Sequence, residues 1–146
     1  MLRKSLPLQL PVQGDDAVAG SADPSAPVPA LLDPAALARL RDLDPTGANR
    51  LLQRVLQAFQ TSVTRLRPQA EAARLSGDHA AIRLVAHTLK SSSASIGALR
   101  LSALCAHIEA SVRSDPGADQ NANLDALGIS LDAVLMAIER WLKDEA

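Results

Sequence analysis

The sequence has almost no aromatic residues and a single cysteine, and these absences exclude several functions. Its 146 residues include one Phe, one Trp and no Tyr, which is too few to stack the bases of single-stranded nucleic acid. One cysteine, Cys105, excludes an intrachain disulfide and a multi-cysteine metal site. The formal net charge of −1 gives no strongly basic surface for nucleic acid. We therefore expect no nucleic-acid partner.

Long apolar runs are also missing from the sequence. No stretch approaches the roughly 18 apolar residues expected of a membrane span. The first residues, Met1 to Lys4, resemble the charged start of a signal peptide, but Pro7 and Pro11 interrupt the apolar segment that follows. The sequence therefore predicts a cytoplasmic protein without a membrane partner.

Proline and apolar residues divide the chain into two parts. Residues 1–30 contain five of the nine prolines and few large apolar groups, so they cannot bury enough surface to offset the entropy of ordering. We predict a disordered tail over 1–30 and one domain over 31–146. In the domain, Ala and Leu dominate and no alternating β-branched run occurs, which predicts an all-α fold.

Helix signals and apolar periodicity define the elements of this domain. Asp33 and Pro34 suit the cap and first position of a short helix. Pro68 is expected to kink or divide the long helix in which it falls. The predicted helices cover 34–42, about 47–76, 78–96, 98–114 and 122–143. Four amphipathic helices with short connections predict an antiparallel four-helix bundle, with the short first helix capping one end.

The helix over 78–96 has one apolar and one polar face. At about 100° per residue, the apolar face is centred on Val85 and the opposite face on His87. His87 is therefore predicted to face solvent at mid-helix, with Lys90 one turn beyond it. The predicted core face contains Ala81, Ile82, Val85, Leu89, Ser92 and Ile96, and the solvent face contains Arg83, His87, Lys90 and Ala94.

The segment from His87 to Ala98, HTLKSSSASIGA, resembles the signature of histidine-containing phosphotransfer (HPt) domains. The family pattern is His, any residue, Leu, Lys, Gly, Ser, a small residue, two variable positions, an aliphatic residue, Gly and Ala. Every specified position matches except Ser91, where the family usually has Gly. The resemblance extends over roughly residues 31–143.

The resemblance implies that His87 carries a phosphoryl group and exchanges it with aspartates of receiver domains, in a hybrid sensor kinase or a response regulator. Lys90 is expected to stabilise the phosphoryl oxygens as a mobile point charge. The residues expected to face the docked partner are Arg83, Ser91, Ala94 and Gly97. Of these, Ala94 and Gly97 would provide clearance, and the Ser91 hydroxyl would lean toward the His87 imidazole.

Catalytic machinery for ATP is missing from the sequence. There is no glycine-rich Walker loop, and the remaining length does not accommodate an ATP-binding lobe. We therefore expect a phosphoryl carrier rather than an enzyme, with no cofactor of its own and with Mg²⁺ supplied by the receiver. No metal site is expected, because His79 and His87 lack ligand spacing and His107 lies on another helix.

Two other hypotheses remain open at this stage. The same helix face would also suit an adaptor that binds a receiver domain without being phosphorylated, although such an adaptor needs neither His87 nor Lys90. The chain would also suit an ordinary structural bundle, or a fragment of a larger hybrid kinase.

Overall fold

The computed structural model describes residues 31–145, with the side chains of residues 31–144. The tail predicted over 1–30 lies outside the described residues. Within them the chain is helical, and no strand occurs, which confirms the predicted all-α fold. The helices are α1 (Pro34–Asp42), α2 (Leu51–Ser76), α3 (His79–Ser95), α4 (Leu99–Ser114) and α5 (Asn121–Glu145).

Side-chain caps set the starts of α1 and α3, and a carboxylate from the preceding loop bonds the first amide of α2. The Asp33 carboxylate accepts a hydrogen bond from the Ala35 amide at the start of α1, and the Asp78 carboxylate accepts one from the Ala81 amide at the start of α3, both at 3.1 Å. Before α2, the Asp44 carboxylate accepts from the amide of Leu51 at 3.1 Å. Residues 44–50 are therefore a loop, and α2 begins four residues later than the sequence predicts.

The long helix α2 is not divided at Pro68, contrary to one of the predicted outcomes. Pro68 itself is exposed, whereas Leu66 and Ala70 on either side of it are buried in the core. Packing of the apolar stripe on both sides of the proline stabilises the helix, and this tertiary contribution outweighs the one backbone hydrogen bond that proline removes.

Helices α2 to α5 form the predicted four-helix bundle. Each helix packs against the next along the chain, and α5 packs back against α2. Two ion pairs of 2.8 Å join α2 to α5, and their order along the helices shows that the two helices run antiparallel: Arg67–Asp132 and Arg74–Asp125. The largest fully buried side chains at the centre include Leu56, Leu89, Leu101, Ile108 and Ile138.

The buried face of α3 is rotated relative to the predicted one. Ser93 is fully buried, whereas Ser92, predicted to face the core, is half-buried and donates its hydroxyl to the Thr88 carbonyl at 3.1 Å. Ala86 is also buried. The wheel was centred on Val85, but α3 packs against α4 as well as α2, which moves the centre of the buried face toward Ala86 and Leu89. This rotation brings Lys90 from the solvent pole to the flank beside α4.

Helix α1 covers the turn between α3 and α4. The Asp33 amide donates to the Gly97 carbonyl at 2.8 Å, and the Arg41 guanidinium lies 5.4 Å from the centre of the Trp141 ring on α5. Gly97 is buried in this contact. The expectation that Gly97 gives clearance to a docked partner is therefore wrong. Its lack of a side chain makes room for α1 of its own chain.

Replacing Gly97 by Ala should destabilise the protein by about 3 kcal/mol, because both backbone strain and overpacking oppose it. Gly97 has a φ of +78°, and a Cβ there would lie 2.7 Å from the Asp33 backbone nitrogen. The matched control is Gly77→Ala, since Gly77 has a φ of +70° but open space around it. That variant should lose only about 1 kcal/mol. Urea unfolding of both variants measures the difference, and equal losses would show that contact with α1 contributes nothing.

The expectation that no segment is apolar enough to span a membrane is not met by helix α5. Among the described residues, its segment Asn121–Asp144 is long and apolar enough to cross a membrane, because it contains an 18-residue window with a mean hydropathy of 1.2. The core helix of a bundle satisfies the same criterion, and Leu127, Leu131 and Ile138 of α5 are buried against the other helices. The length and hydropathy of α5 are therefore weak evidence for a membrane location.

Candidate functional site

His87 lies in the middle of α3 with its imidazole open to solvent. Its side chain is 56% exposed, while Val85, Leu89 and Ile96 are buried behind it. This arrangement confirms the orientation predicted from the helical wheel. The exposed face of α3 also presents Ser91 and Ala94.

A buried carboxylate on α4 holds the imidazole. Nδ1 of His87 lies 2.8 Å from Oε2 of Glu109, and Glu109 is only 4% exposed. Helices α3 and α4 form an antiparallel hairpin at Gly97, and His87 precedes this turn by about as many residues as Glu109 follows it. The two side chains therefore meet across the helix pair.

Glu109 is also the ion-pair partner of two cations. Lys90 donates from Nζ to Oε1 at 2.7 Å, and Arg113 donates from a guanidinium nitrogen to Oε2 at 3.2 Å. Lys90 is about one-third exposed and Arg113 about two-thirds. A single buried carboxylate thus gathers an imidazole, an ammonium and a guanidinium on one surface of the bundle.

Hydrogen bonds from Lys90 and then His87 lower the pKa of Glu109 from 4.5 to about 2, despite the opposing effect of burial. Because the pKa is lowered in the folded protein, these interactions stabilise the fold above about pH 4.5 and are lost as the pH falls toward 2. Glu109 is therefore an ionised acceptor at neutral pH.

The charge state of Glu109 defines the tautomer of His87. An ionised carboxylate can only accept hydrogen bonds, so Nδ1 of His87 carries the proton that lies between the two groups. In a neutral imidazole the other nitrogen, Nε2, then has a free lone pair. The arrangement orients a nucleophilic nitrogen at the surface of the bundle.

Three of the four residues predicted to face a docked partner lie on α3 near His87, and the fourth lies beneath α1. Arg83 is half-buried, and Ser91 and Ala94 are exposed beside His87. The sequence analysis expects the Ser91 hydroxyl to lean toward the imidazole, but the hydrogen-bond partner of Nδ1 of His87 is Glu109. Gly97 lies beneath α1.

His107 and Cys105 on α4 lie outside this centre. His107 is exposed, and Cys105 is fully buried, which raises the pKa of its thiol to about 12. Among residues 31–145, no group of three or more His, Cys, Asp or Glu side chains is arranged to hold a metal ion.

Sequence reasoning missed Glu109 and Arg113. One signal was available, because Glu109 directly follows Ile108 and lies four residues after Cys105, within the apolar stripe of α4. A carboxylate at such a position must find a partner inside the bundle. Arg113 lies four residues after Glu109, and this is the spacing at which opposite charges pair on one face of a helix.

A family model for the Hpt domain matches residues 54–140, more than half of the chain. The chain belongs to the Hpt family. Its function is therefore histidine phosphotransfer in two-component signalling, and proteins of this family are phosphocarriers rather than enzymes and interact with receiver domains of phosphorelay proteins.

A solved structure agrees with this assignment. The chain is similar to the crystal structure of histidine-containing phosphotransfer protein B (HptB) from Pseudomonas aeruginosa PAO1, with 25% sequence identity and a TM-score of 0.69. The match covers 80% of this chain and 98% of that one. A comparison with curated proteins gives no match.

Proposed function

We propose that this Hpt protein carries its phosphoryl group on Nε2 of His87 and exchanges it with the aspartates of receiver domains. The observation that supports this assignment is the exposed imidazole whose Nδ1 is bonded to the buried Glu109. The hydrogen bond leaves Nε2 as the reactive nitrogen and directs it away from the bundle.

The proposed transfer is a single displacement at phosphorus. The Nε2 lone pair of His87 attacks the phosphorus of an aspartyl phosphate, the bond from phosphorus to the carboxylate oxygen breaks, and the aspartate leaves as a carboxylate. Positive charge develops on the imidazole as the N–P bond forms, and the Glu109 carboxylate at Nδ1 stabilises it. The reverse displacement passes the group to the next receiver.

Transfer is proposed to depend on the partner for its metal. The nearest carboxylate to His87 is Glu109, and both of its oxygens already accept hydrogen bonds from basic side chains. It is therefore a poor ligand for Mg²⁺, which prefers free oxygen ligands with ordered waters. We assign both the Mg²⁺ and the catalysis of the transfer to the receiver domain.

The proposed docking surface surrounds His87 on α3 and includes Arg83, Ser91 and Ala94. Ser91 and Ala94 are small and exposed, so another protein can approach the imidazole closely. Leu84, one turn before His87, is 60% exposed and adds an apolar contact that the sequence analysis did not identify. The proposal also places this exchange in the cytoplasm.

Label transfer tests the proposal. The purified chain is mixed with receiver domains that carry radioactive aspartyl phosphate, and the proteins are separated on a gel. Label should move to this chain, and it should be acid-labile and base-stable, as a phosphoramidate is and a serine phosphate is not. A chain that binds receivers but never accepts label would instead be a phosphorylation-independent adaptor.

Lys90→Ala should slow phosphotransfer by several-fold or shorten the lifetime of the phosphohistidine, because a cation beside the phosphoryl oxygens is lost. The ammonium holds Glu109 through one of its three donors, which leaves two for the phosphoryl group. Stopped-flow transfer and decay of the label measure the effect. Lys143→Ala on α5 is the control. Identical kinetics in Lys90→Ala and wild type would make Lys90 a bystander.

A further inference from the structure

Arg113 is the cation at this site to which no role has yet been assigned. Its guanidinium donates to Oε2 of Glu109 at 3.2 Å, and Nδ1 of His87 lies 2.8 Å from the same oxygen. Two groups bonded to one atom at hydrogen-bond distances cannot be more than roughly 6 Å apart. Arg113 is therefore a neighbour of the imidazole, although it lies on another helix.

The hydrogen-bonding capacity of Arg113 is largely unused. A guanidinium has five N–H donors, and within the described part of the chain the Arg113 side chain uses one, toward Glu109. The side chain is 66% exposed, so it can change rotamer at little cost. Arg113 can therefore present a pair of N–H groups to an anion beside His87.

The site carries more positive charge than is needed to neutralise the Glu109 carboxylate. Lys90 alone would neutralise the Glu109 carboxylate through its 2.7 Å ion pair. With Arg113 bonded as well, the cluster carries one net positive charge when His87 is neutral. Adding a phosphoryl group brings one to two negative charges to this position, and the excess cation compensates part of them.

We propose that Arg113 is a second phosphoryl-binding residue, which turns its guanidinium from Glu109 toward the phosphoryl oxygens when Nε2 of His87 is phosphorylated. The planar guanidinium matches two phosphoryl oxygens at once, which Lys90 as a point charge does not. Glu109 keeps Lys90 and His87 as partners during this movement, so no buried charge is left unpaired. This inference rests on the proposed role of His87.

Phosphorus NMR of the phosphorylated chain tests the contact directly. Phosphoramidate, which gives up its phosphoryl group as ammonia leaves and the Nε2–P bond forms, loads His87 without a receiver. Arg113→Ala should raise the pKa of the phosphoryl group by about half to one unit, the size expected when a cation about 4 Å away in solvent is lost. Arg113→Lys should restore part of the difference.

The control is Arg100→Ala, an exposed arginine at the other end of α4, which should leave the phosphorus titration unchanged. If Arg113→Ala titrates like wild type while Lys90→Ala does not, the inference is overturned and the proposed function stands. A weaker affinity of Arg113→Ala for receivers with an unchanged titration would make it a docking residue and also overturn the inference. Absence of any phosphohistidine signal in the wild type would overturn both.

Discussion

His87→Gln should abolish phosphoryl transfer to this chain while the protein stays folded. Glutamine has no nitrogen that forms a phosphoramidate, so label from a phosphorylated receiver should fall to background. The side chain is 56% exposed, and exposed substitutions usually change stability by less than about 0.5 kcal/mol. Glu109 keeps its two cationic partners in the variant, so no buried charge is left alone. Gel transfer of label and urea unfolding measure the two effects.

The matched control for this variant is His107→Gln. His107 is an exposed histidine on the adjacent helix α4, but Ala110 stands three residues after it, where His87 has Lys90. His107→Gln should accept label like wild type. Binding of the receiver to His87→Gln should largely persist, because the docking surface around the imidazole is unchanged. Label appearing on the His87→Gln protein would refute the assignment of the phosphoryl group to His87.

Glu109→Ala should slow phosphotransfer by about 10- to 100-fold, the range found when the hydrogen-bonded partners of metal-binding histidines are removed. Glu109 holds the proton on Nδ1 and stabilises the charge that develops on the imidazole. Without it the imidazole rotates freely and populates the tautomer with the proton on Nε2, which cannot attack. Initial rates of label transfer measure the loss, and circular dichroism checks that the bundle remains folded.

Glu109→Gln separates orientation from charge. The amide oxygen of glutamine still accepts a hydrogen bond from Nδ1 of His87, but the side chain is neutral and no longer pairs with Lys90. We expect a rate between those of wild type and Glu109→Ala. Nitrogen NMR of the imidazole should show the Nδ1–H tautomer in wild type and in Glu109→Gln, and a mixture in Glu109→Ala. An unchanged tautomer in Glu109→Ala, with an unchanged rate, would show that Glu109 only fills space in the bundle.

The helices were largely predictable because their signals are local. Asp33 and Asp78 precede helices that they cap, and the observed α1 has the predicted bounds. The prediction failed where a longer-range contact decided the outcome. The Asp44 carboxylate bonds the Leu51 amide seven residues away, which delays the start of α2, and tertiary packing keeps α2 undivided at Pro68.

The site was predictable only on the helix that carries the motif. The wheel of α3 gave the exposure of His87, since a single helix has a known periodicity. The wheel placed Lys90 too close to the solvent pole and Ser92 too close to the core, although both are half-buried. The centre of a buried face depends on which neighbours the helix touches, and the wheel does not contain that information. The position of Gly97 under α1 also depends on a contact between distant segments.

By itself, the sequence determined an all-α chain, the solvent-facing His87 and the resemblance to phosphotransfer domains, because periodicity, caps and a motif in one helix are properties of neighbouring residues. Only the tertiary structure decided which nitrogen of His87 is free to react. That choice depends on Glu109, which α4 brings within 2.8 Å of Nδ1 from 22 residues away. The partners Lys90 and Arg113 share the same carboxylate, and hydrogen bonds between helices depend on packing geometry that one helix alone does not define.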